Sequence, residues 1–346
     1  MQELPFRFED ARSARENLRG VARRTPLLPA TDAFPRSNVY LKAENLQLTH
    51  AFKFRGAYNR VSRLGEADRR RGLIAASSGN HALGLSLAGS MLDAPVVVVM
   101  PEEAPEVKER GCRGYGARVL RRGETYDDAL EFATEMARER GYTYVQSFDD
   151  PLVAAGQSTA TWEILEDLPE VDVLVLPIGG GGLATGALGL LQSAPDSAFP
   201  HRSRPLRDVS VVGVQAEGAA SMLASVSAGR RMALPKISTV ADGIAVRQPG
   251  ELTFGVVRAA VDELVTVSDA EMMEMVGLLA LREKLVVETA GAAAAAAVLA
   301  GRGKVLSRAI EEGLSVVCVL SGGNLQADVF CRALRCARGR GEGEST

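Results

Sequence analysis

The sequence predicts an α/β protein whose open, mostly parallel sheets are flanked by helices, and three observations predict it. Largely apolar runs at 94–101, 171–178 and 315–320 lack the polar alternation of a sheet with one wet face, so they read as strands buried on both sides. Segments with the 3.6-residue period of a helix separate such runs, which is the order of βαβ units on a parallel sheet. Two of the runs empty into glycine turns, Gly179-Gly180-Gly181-Gly182 and Ser321-Gly322-Gly323-Asn324, and open α/β sheets place their sites at such strand ends.

Taken in order, Phe8, Ala11, Ala14 and Leu18 stand at helical spacing, so residues 1–24 open with a packing helix. Thr25-Pro26-Leu27-Leu28-Pro29 breaks it, and 38–42 reads as a short strand delivering the segment around Lys53. Residues 55–64 are helical in period. A buried strand at 73–76 runs into Ser77-Ser78-Gly79-Asn80-His81, and 82–92 returns to helix. Strands at 94–101, 117–120 and 142–145 then alternate with helices at 106–114 and 126–140. From Phe148-Asp149-Asp150-Pro151 the pattern restarts, with a helix at 154–165, the strand at 171–178 and a helix at 183–191. Residues 192–207 are polar and carry prolines, as in a surface insertion. Strands follow at 209–214 and 263–267, and Asp269 is expected to cap a helix. Residues 290–300 are mostly alanine, which suits a tightly packed helix, and at a bilayer's requirement of roughly 20 residues the run is too short to cross. Residues 337–346, rich in Gly, Arg and Glu, are expected to be disordered.

With 346 residues, 46% of them hydrophobic, the chain can bury a core in about two domains. A formal net charge of -3 predicts neither a nucleic-acid footprint nor an anionic membrane partner. Met1-Gln2-Glu3-Leu4-Pro5-Phe6-Arg7 lacks the basic-then-apolar order of a secretory signal. None of the four cysteines forms a Cys-x-x-Cys pair, and three histidines are too few to complete a zinc site with them, so reduced thiols of a cytoplasmic protein are expected.

Three stretches carry chemistry. Lys53 lies between Phe52 and Phe54; alone it reads as one more surface lysine, but an apolar surround disfavours the ammonium, and a neutral amine is what a Schiff base requires. The four glycines follow a buried strand and precede a helix, where a linker would not sit, and glycine lets successive backbone amides turn to one anion without a Cβ in the way. Ser77-Ser78-Gly79-Asn80-His81, between a strand and a helix, is either an anion-receiving turn or a generic Ser/Gly turn.

Taken together, these stretches and their order resemble the fold-type II (tryptophan synthase beta-like) pyridoxal-phosphate enzymes, in particular the threonine and serine dehydratases and serine racemases, from about Thr25-Pro26-Leu27 to Asn324. The resemblance implies two domains, 1–52 with 149–346 for the cofactor and 53–148 for the substrate loop. It implies pyridoxal 5'-phosphate as cofactor, bound covalently by Lys53, which later takes the substrate's α-proton. Phe52 would flank the cofactor, Gly179, Gly180, Gly181, Gly182 and the amide of Leu183 would hold its phosphate, Ser321 would meet its pyridine nitrogen and Asn80 its ring oxygen. Ser77, Ser78, Gly79, Asn80 and His81 would receive the substrate carboxylate. The implied reaction is α,β-elimination from a β-hydroxy amino acid, L-threonine or L-serine by default, giving a 2-oxo acid and ammonia. A homo-oligomer, a dimer, is also implied.

Departures from the family pattern qualify that picture. His50-Ala51 replaces Gly-Ser before Phe-Lys, so bulk is gained and a hydroxyl lost beside the lysine, and a non-standard β-hydroxy amino acid stays open as substrate. His50 reads equally as a structural or a functional neighbour. Ser158 replaces a glycine in Ala155-Gly156-Gln157-Ser158-Thr159, and Gln146-Ser147 replace His-Pro before Phe-Asp-Asp. Ser78 stands where serine racemases place a second acid/base, so it joins Lys53 as a candidate catalytic residue and racemisation stays open. A β-replacement synthase or a catalytically silent cofactor-binding protein fits less well. Racemase-like relatives bind a divalent ion through a glutamate after Val-Gly-Val and an aspartate six residues on; this chain has Gln215 and Ser221 there, so no metal is expected. Little chain follows Asn324, so the regulatory domain of some threonine dehydratases is not expected.

Overall fold

The computed structural model describes residues 4–35, 37–104 and 106–341. Its strands are β1 (Leu27–Pro29), β2 (Val39–Lys42), β3 (Leu73–Ala76), β4 (Val96–Met100), β5 (Arg118–Arg121), β6 (Thr143–Tyr144), β7 (Val173–Pro177), β8 (Ser210–Ala216), β9 (Glu263–Val267) and β10 (Val316–Val319). They form a six-stranded sheet of order β1-β2-β10-β7-β8-β9 and a four-stranded sheet of order β5-β4-β3-β6. All pairings are parallel except β1 with β2. In β3, β4, β7 and β10 every residue is buried, which accounts for their unbroken apolar sequence. β1 lies in the segment expected only to break the first helix. It is an edge strand, where Pro29 needs no ladder partner for its missing N–H.

Register places the site. Val316 of β10 pairs with Val39 of β2 and Val173 of β7, so these three strands end together and the loops after Lys42, Pro177 and Val319 leave from one edge. Helices cover both sheets. Pro151–Asp167 starts cleanly because Asp150 accepts from Leu152 N and Val153 N (2.8 and 3.0 Å) and Pro151 fits the first turn. The alanine helix, Thr289–Leu299, is buried along almost its whole length, since small side chains let it approach the six-stranded sheet closely.

Several expectations need correction. The cap of helix Asp269–Leu278 is Ser268, in a reciprocal box with Glu271; Asp269 instead accepts from Thr239 and Val240. Residues 192–207 are not merely surface: Phe199 is buried against Trp162 (ring centroids 5.3 Å), Leu206 is buried, and Arg202 donates to the Val171 carbonyl (3.1 Å). Of the tail expected to be disordered, 337–341 continue helix Ala327–Gly341, and 342–346 lie outside the described residues. Helices Glu66–Arg71, Ser221–Ala228, Glu251–Ala260 and Lys304–Glu311 went unread; the first is wholly charged apart from Ala67 and has no apolar stripe to find.

One buried polar cluster ties the lysine helix to the large sheet. Arg55 and Glu44 are 1% and 0% exposed and pair at 2.8 Å; Arg55 also pairs with Glu163 (2.7 Å), and Glu163 with Lys42 of β2 (2.6 Å). Burial alone would neutralise Glu44, but Arg55 and Lys42 overcome it and hold the carboxyl below its usual range.

Candidate active site

Lys53 is the first residue of helix Lys53–Ser62. The segment before it lies along the loop after β10: Phe52 N donates to the Ser321 carbonyl (3.1 Å), Ala51 bridges Gly322, and Gly323 N donates to the His50 carbonyl (2.8 Å). His50 has φ +56°, in the left-handed region, and its side chain is exposed. That backbone explains why glycine suits the position, and it corrects the expectation of added bulk beside the lysine. Fully buried Ala51 takes the inward place.

The Lys53 amine points to where the two sheets meet. Nζ donates to the Ser147 carbonyl (2.8 Å) and lies 5.2 Å from the Phe52 ring centroid and 6.0 Å from that of Phe148. Burial pushes its pKa down to about 8. The neighbouring His81 accordingly stays neutral. Burial, then the charge of Lys53, drive its pKa down to about 3, against the hydrogen bond to Val145. His81 Nε2 must carry the proton, because it lies 2.9 Å from the Val145 carbonyl, which can only accept. The ring is therefore engaged with Val145 through Nε2.

The glycine turn sits across Phe148 from the lysine. Gly181 has φ +99° and stands just before helix Gly182–Ser193. A Cβ on Gly180 would overlap the Phe148 ring, and one on Gly182 would lie 2.8 Å from Phe148 Cβ. Thr253 Oγ1 donates to the Gly180 carbonyl (2.6 Å), and Asp149 accepts from Thr253 N and Glu251 N (3.1 and 2.9 Å), so helix Glu251–Ala260 braces the turn. Amides of Gly182 and Leu183 belong to the first helical turn, where N–H groups lack intrahelical partners and the helix dipole is positive. That is a receptor for an anion.

Asn80 and His81 are the first two residues of helix Asn80–Met91 and not part of the preceding turn. Gly79 N donates to Ser77 Oγ (3.2 Å), Ser78 is partly exposed, and Ser321 is buried at the end of β10. Asn80 Nδ2 donates to Glu288 Oε1 (2.6 Å), and its Oδ1 accepts from Asn324 (2.8 Å). Thus Lys53, Ser77 to His81, the glycine turn and Ser321 lie along one seam. Phe148, Glu288 and Asn324 join them without having been singled out. The one signal for Glu288 was a carboxylate directly before an otherwise apolar alanine helix. Burial, then Asp242, push its pKa up to about 8. Beside the glycine turn, at the end of β8, Gln215 is fully buried, its amide nitrogen donating to the Ile178 carbonyl (3.2 Å) and its oxygen accepting from Leu223 N (2.8 Å), while Ser221 donates to the Val246 carbonyl (2.7 Å).

An amine whose charge burial disfavours, a helix start whose glycines leave no room for a Cβ and keep their amides accessible in principle to an anion, and the orphaned buried atoms His81 Nδ1 and Thr49 Oγ1 suit a phosphorylated aldehyde held covalently between the sheets. That chemistry defines a class, the enzymes that bind pyridoxal phosphate through lysine. The family model described as "Pyridoxal-phosphate dependent enzyme" matches residues 18–322, and the chain belongs to that family. More particularly, it is 40% identical over 329 residues to an L-threonine ammonia-lyase of Thermotoga maritima, covering 94% of this chain and 78% of that one. A solved processed form of threonine deaminase isoform 2 from Solanum lycopersicum superposes with TM-score 0.86 at 31% identity, covering 96% of this chain and 88% of that one. Maize serine racemase does so with TM-score 0.84 at 27% identity, over 97% and 99%.

Proposed function

We propose that the chain is an ammonia-lyase acting on a β-hydroxy amino acid, L-threonine or L-serine by default, and releasing a 2-oxo acid and ammonia. The observation that carries this reading is the Lys53 amine, desolvated to a pKa of about 8 and facing the glycine turn across Phe148. Bound pyridoxal phosphate would withdraw electrons from the substrate's Cα and make its proton labile. The chain's residues do the rest. Near pH 7 about a tenth of a group with that pKa is already neutral amine, so Lys53 would be able to condense with an aldehyde, its nitrogen replacing the carbonyl oxygen, which leaves as water, and, once freed, to take a proton from Cα. Gly179, Gly180, Gly181, Gly182 and Leu183 would hold the phosphate through backbone N–H groups. A serine hydroxyl at 321 would meet the pyridine nitrogen without imposing a proton on it, as a carboxylate would, which would favour departure of the β-substituent. Asn80 would donate to the ring oxygen, and Ser77, Ser78, Gly79, Asn80 and His81, with their backbone amides, would receive the substrate carboxylate at the start of helix Asn80–Met91.

In this reading the cofactor lobe is 1–52 with 149–346 and the substrate lobe is 53–148; every strand of the four-stranded sheet falls within the latter. A homodimer is proposed from the family resemblance. Racemisation is the second reading, favoured by the partly exposed Ser78, whose hydroxyl could return a proton to the face opposite Lys53. The test is to incubate purified protein with a panel of β-hydroxy amino acids while measuring oxo acid, ammonia and D-enantiomer. Oxo acid and ammonia in equal amounts, abolished by Lys53→Ala together with the imine absorbance, support the lyase. D-enantiomer without oxo acid replaces it with the racemase, and unchanged turnover in Lys53→Ala rules out both.

A further inference from the structure

Asn80 is gripped at both ends of its carboxamide. Nδ2 donates to Glu288 Oε1 (2.6 Å) and Oδ1 accepts from Asn324 Nδ2 (2.8 Å), while Asn324 Nδ2 also donates to the Thr49 carbonyl (2.9 Å). Glu288 N donates to the Gly322 carbonyl (3.0 Å), and a Cβ on Gly322 would strike both Glu288 Oε1 and Asn80 Nδ2. These groups therefore meet in the space that Gly322, having no Cβ, leaves open. An acceptor on the nitrogen side and a donor on the oxygen side leave a planar amide one orientation, with one N–H still to give.

We propose that Glu288 and Asn324 are positioning residues that fix the Asn80 carboxamide so that its remaining N–H serves the cofactor's ring oxygen. This rests on the reading of the chain in which Asn80 meets that oxygen. Glu288 is 4% exposed, and burial, then the charge of Asp242, hold it mostly neutral at pH 7; the Asn80 bond and Lys108, itself paired with Asp242, pull the other way. A neutral carboxyl accepts from Asn80 without setting a full negative charge beside the ring oxygen. Glutamine at 288 offers the same acceptor, and alanine offers none.

A double-mutant cycle on the purified chain tests this, reading the dissociation constant of pyridoxal phosphate and the position of its visible band. Glu288→Ala and Asn324→Ala should each weaken cofactor binding about tenfold and shift the band when Asn80 is present. In an Asn80→Ala background neither should change affinity more than about twofold, and Glu288→Gln should retain both affinity and band. Equal losses with and without Asn80 would mark Glu288 and Asn324 as merely structural and overturn the proposal. So would a wild-type chain that colours normally alongside unchanged single variants, a result that leaves the lyase reading intact. No visible band in the wild type overturns both. Should Glu288→Ala not fold, the Asn324→Ala cycle gives the decision by itself.

Discussion

At the scale of single residues, two backbone and side-chain states are costly, and the cost is measurable. A histidine with φ +56° carries roughly 1 kcal/mol of strain that glycine would not. His50→Gly should therefore raise the denaturant midpoint by about that much in free energy, less what glycine adds to the entropy of the unfolded chain; a midpoint that falls would show the histidine side chain to be anchored. For Lys53 the folded pKa of about 8 lies below the ordinary 10.5, so between those values the unfolded chain binds more protons. Stability of the cofactor-free protein should rise with pH across that window by about 2–3 kcal/mol. Lys53→Met should be more stable than wild type at pH 7 and lack the rise, which urea titrations at pH 7.5 and 10 would reveal. Lys53 could be picked from the sequence because its aromatic neighbours adjoin it in the chain. Glu288 could not, because the group it serves is 208 residues away.

At the scale of elements, helix Lys53–Ser62 is held by a buried ion cluster on one side and by glycine on another. A Cβ on Gly156 would lie 2.6 Å from both the Arg55 carbonyl and Gly56 Cα, so helices Lys53–Ser62 and Pro151–Asp167 cross almost backbone to backbone. Arg55→Met would leave Glu44 fully buried without its main partner and should cost about 3–5 kcal/mol in chemical denaturation. If the loss is under 1 kcal/mol, the cluster contributes little. Strands and long helices were legible because burial on two faces or one writes itself as an apolar run or a period. The Arg55 cluster was not legible, since Arg55, Glu44, Lys42 and Glu163 look individually like surface charges. Ser268 was passed over for Asp269 because both are good caps, and only the bond from Glu271 N decides between them.

At the scale of the whole molecule, the two sheets are joined around the seam by Asn80 with Glu288, by Lys108 with Asp242 and by Arg247 with Asp127 (2.9 Å). The exposed Arg247 pair is worth at most about 1 kcal/mol, so the cofactor should be the stronger clamp. Pyridoxal phosphate at a hundredfold excess over its dissociation constant should stabilise the chain by about 2.7 kcal/mol in thermal unfolding, and the same concentration should do less for Lys53→Ala. An equal increment in both would mean that the covalent link adds nothing. The chain leaves the large sheet after β2 and returns to it at β7, and on those two crossings stand Lys53, first in its helix, and Ser147 with Phe148, the carbonyl and ring that receive its amine. Any bending of one sheet against the other thus turns on the very backbone that presents the nucleophile. A group bonded to that nitrogen would therefore be felt at both crossings, through the Ser147 carbonyl on one and the start of the lysine helix on the other.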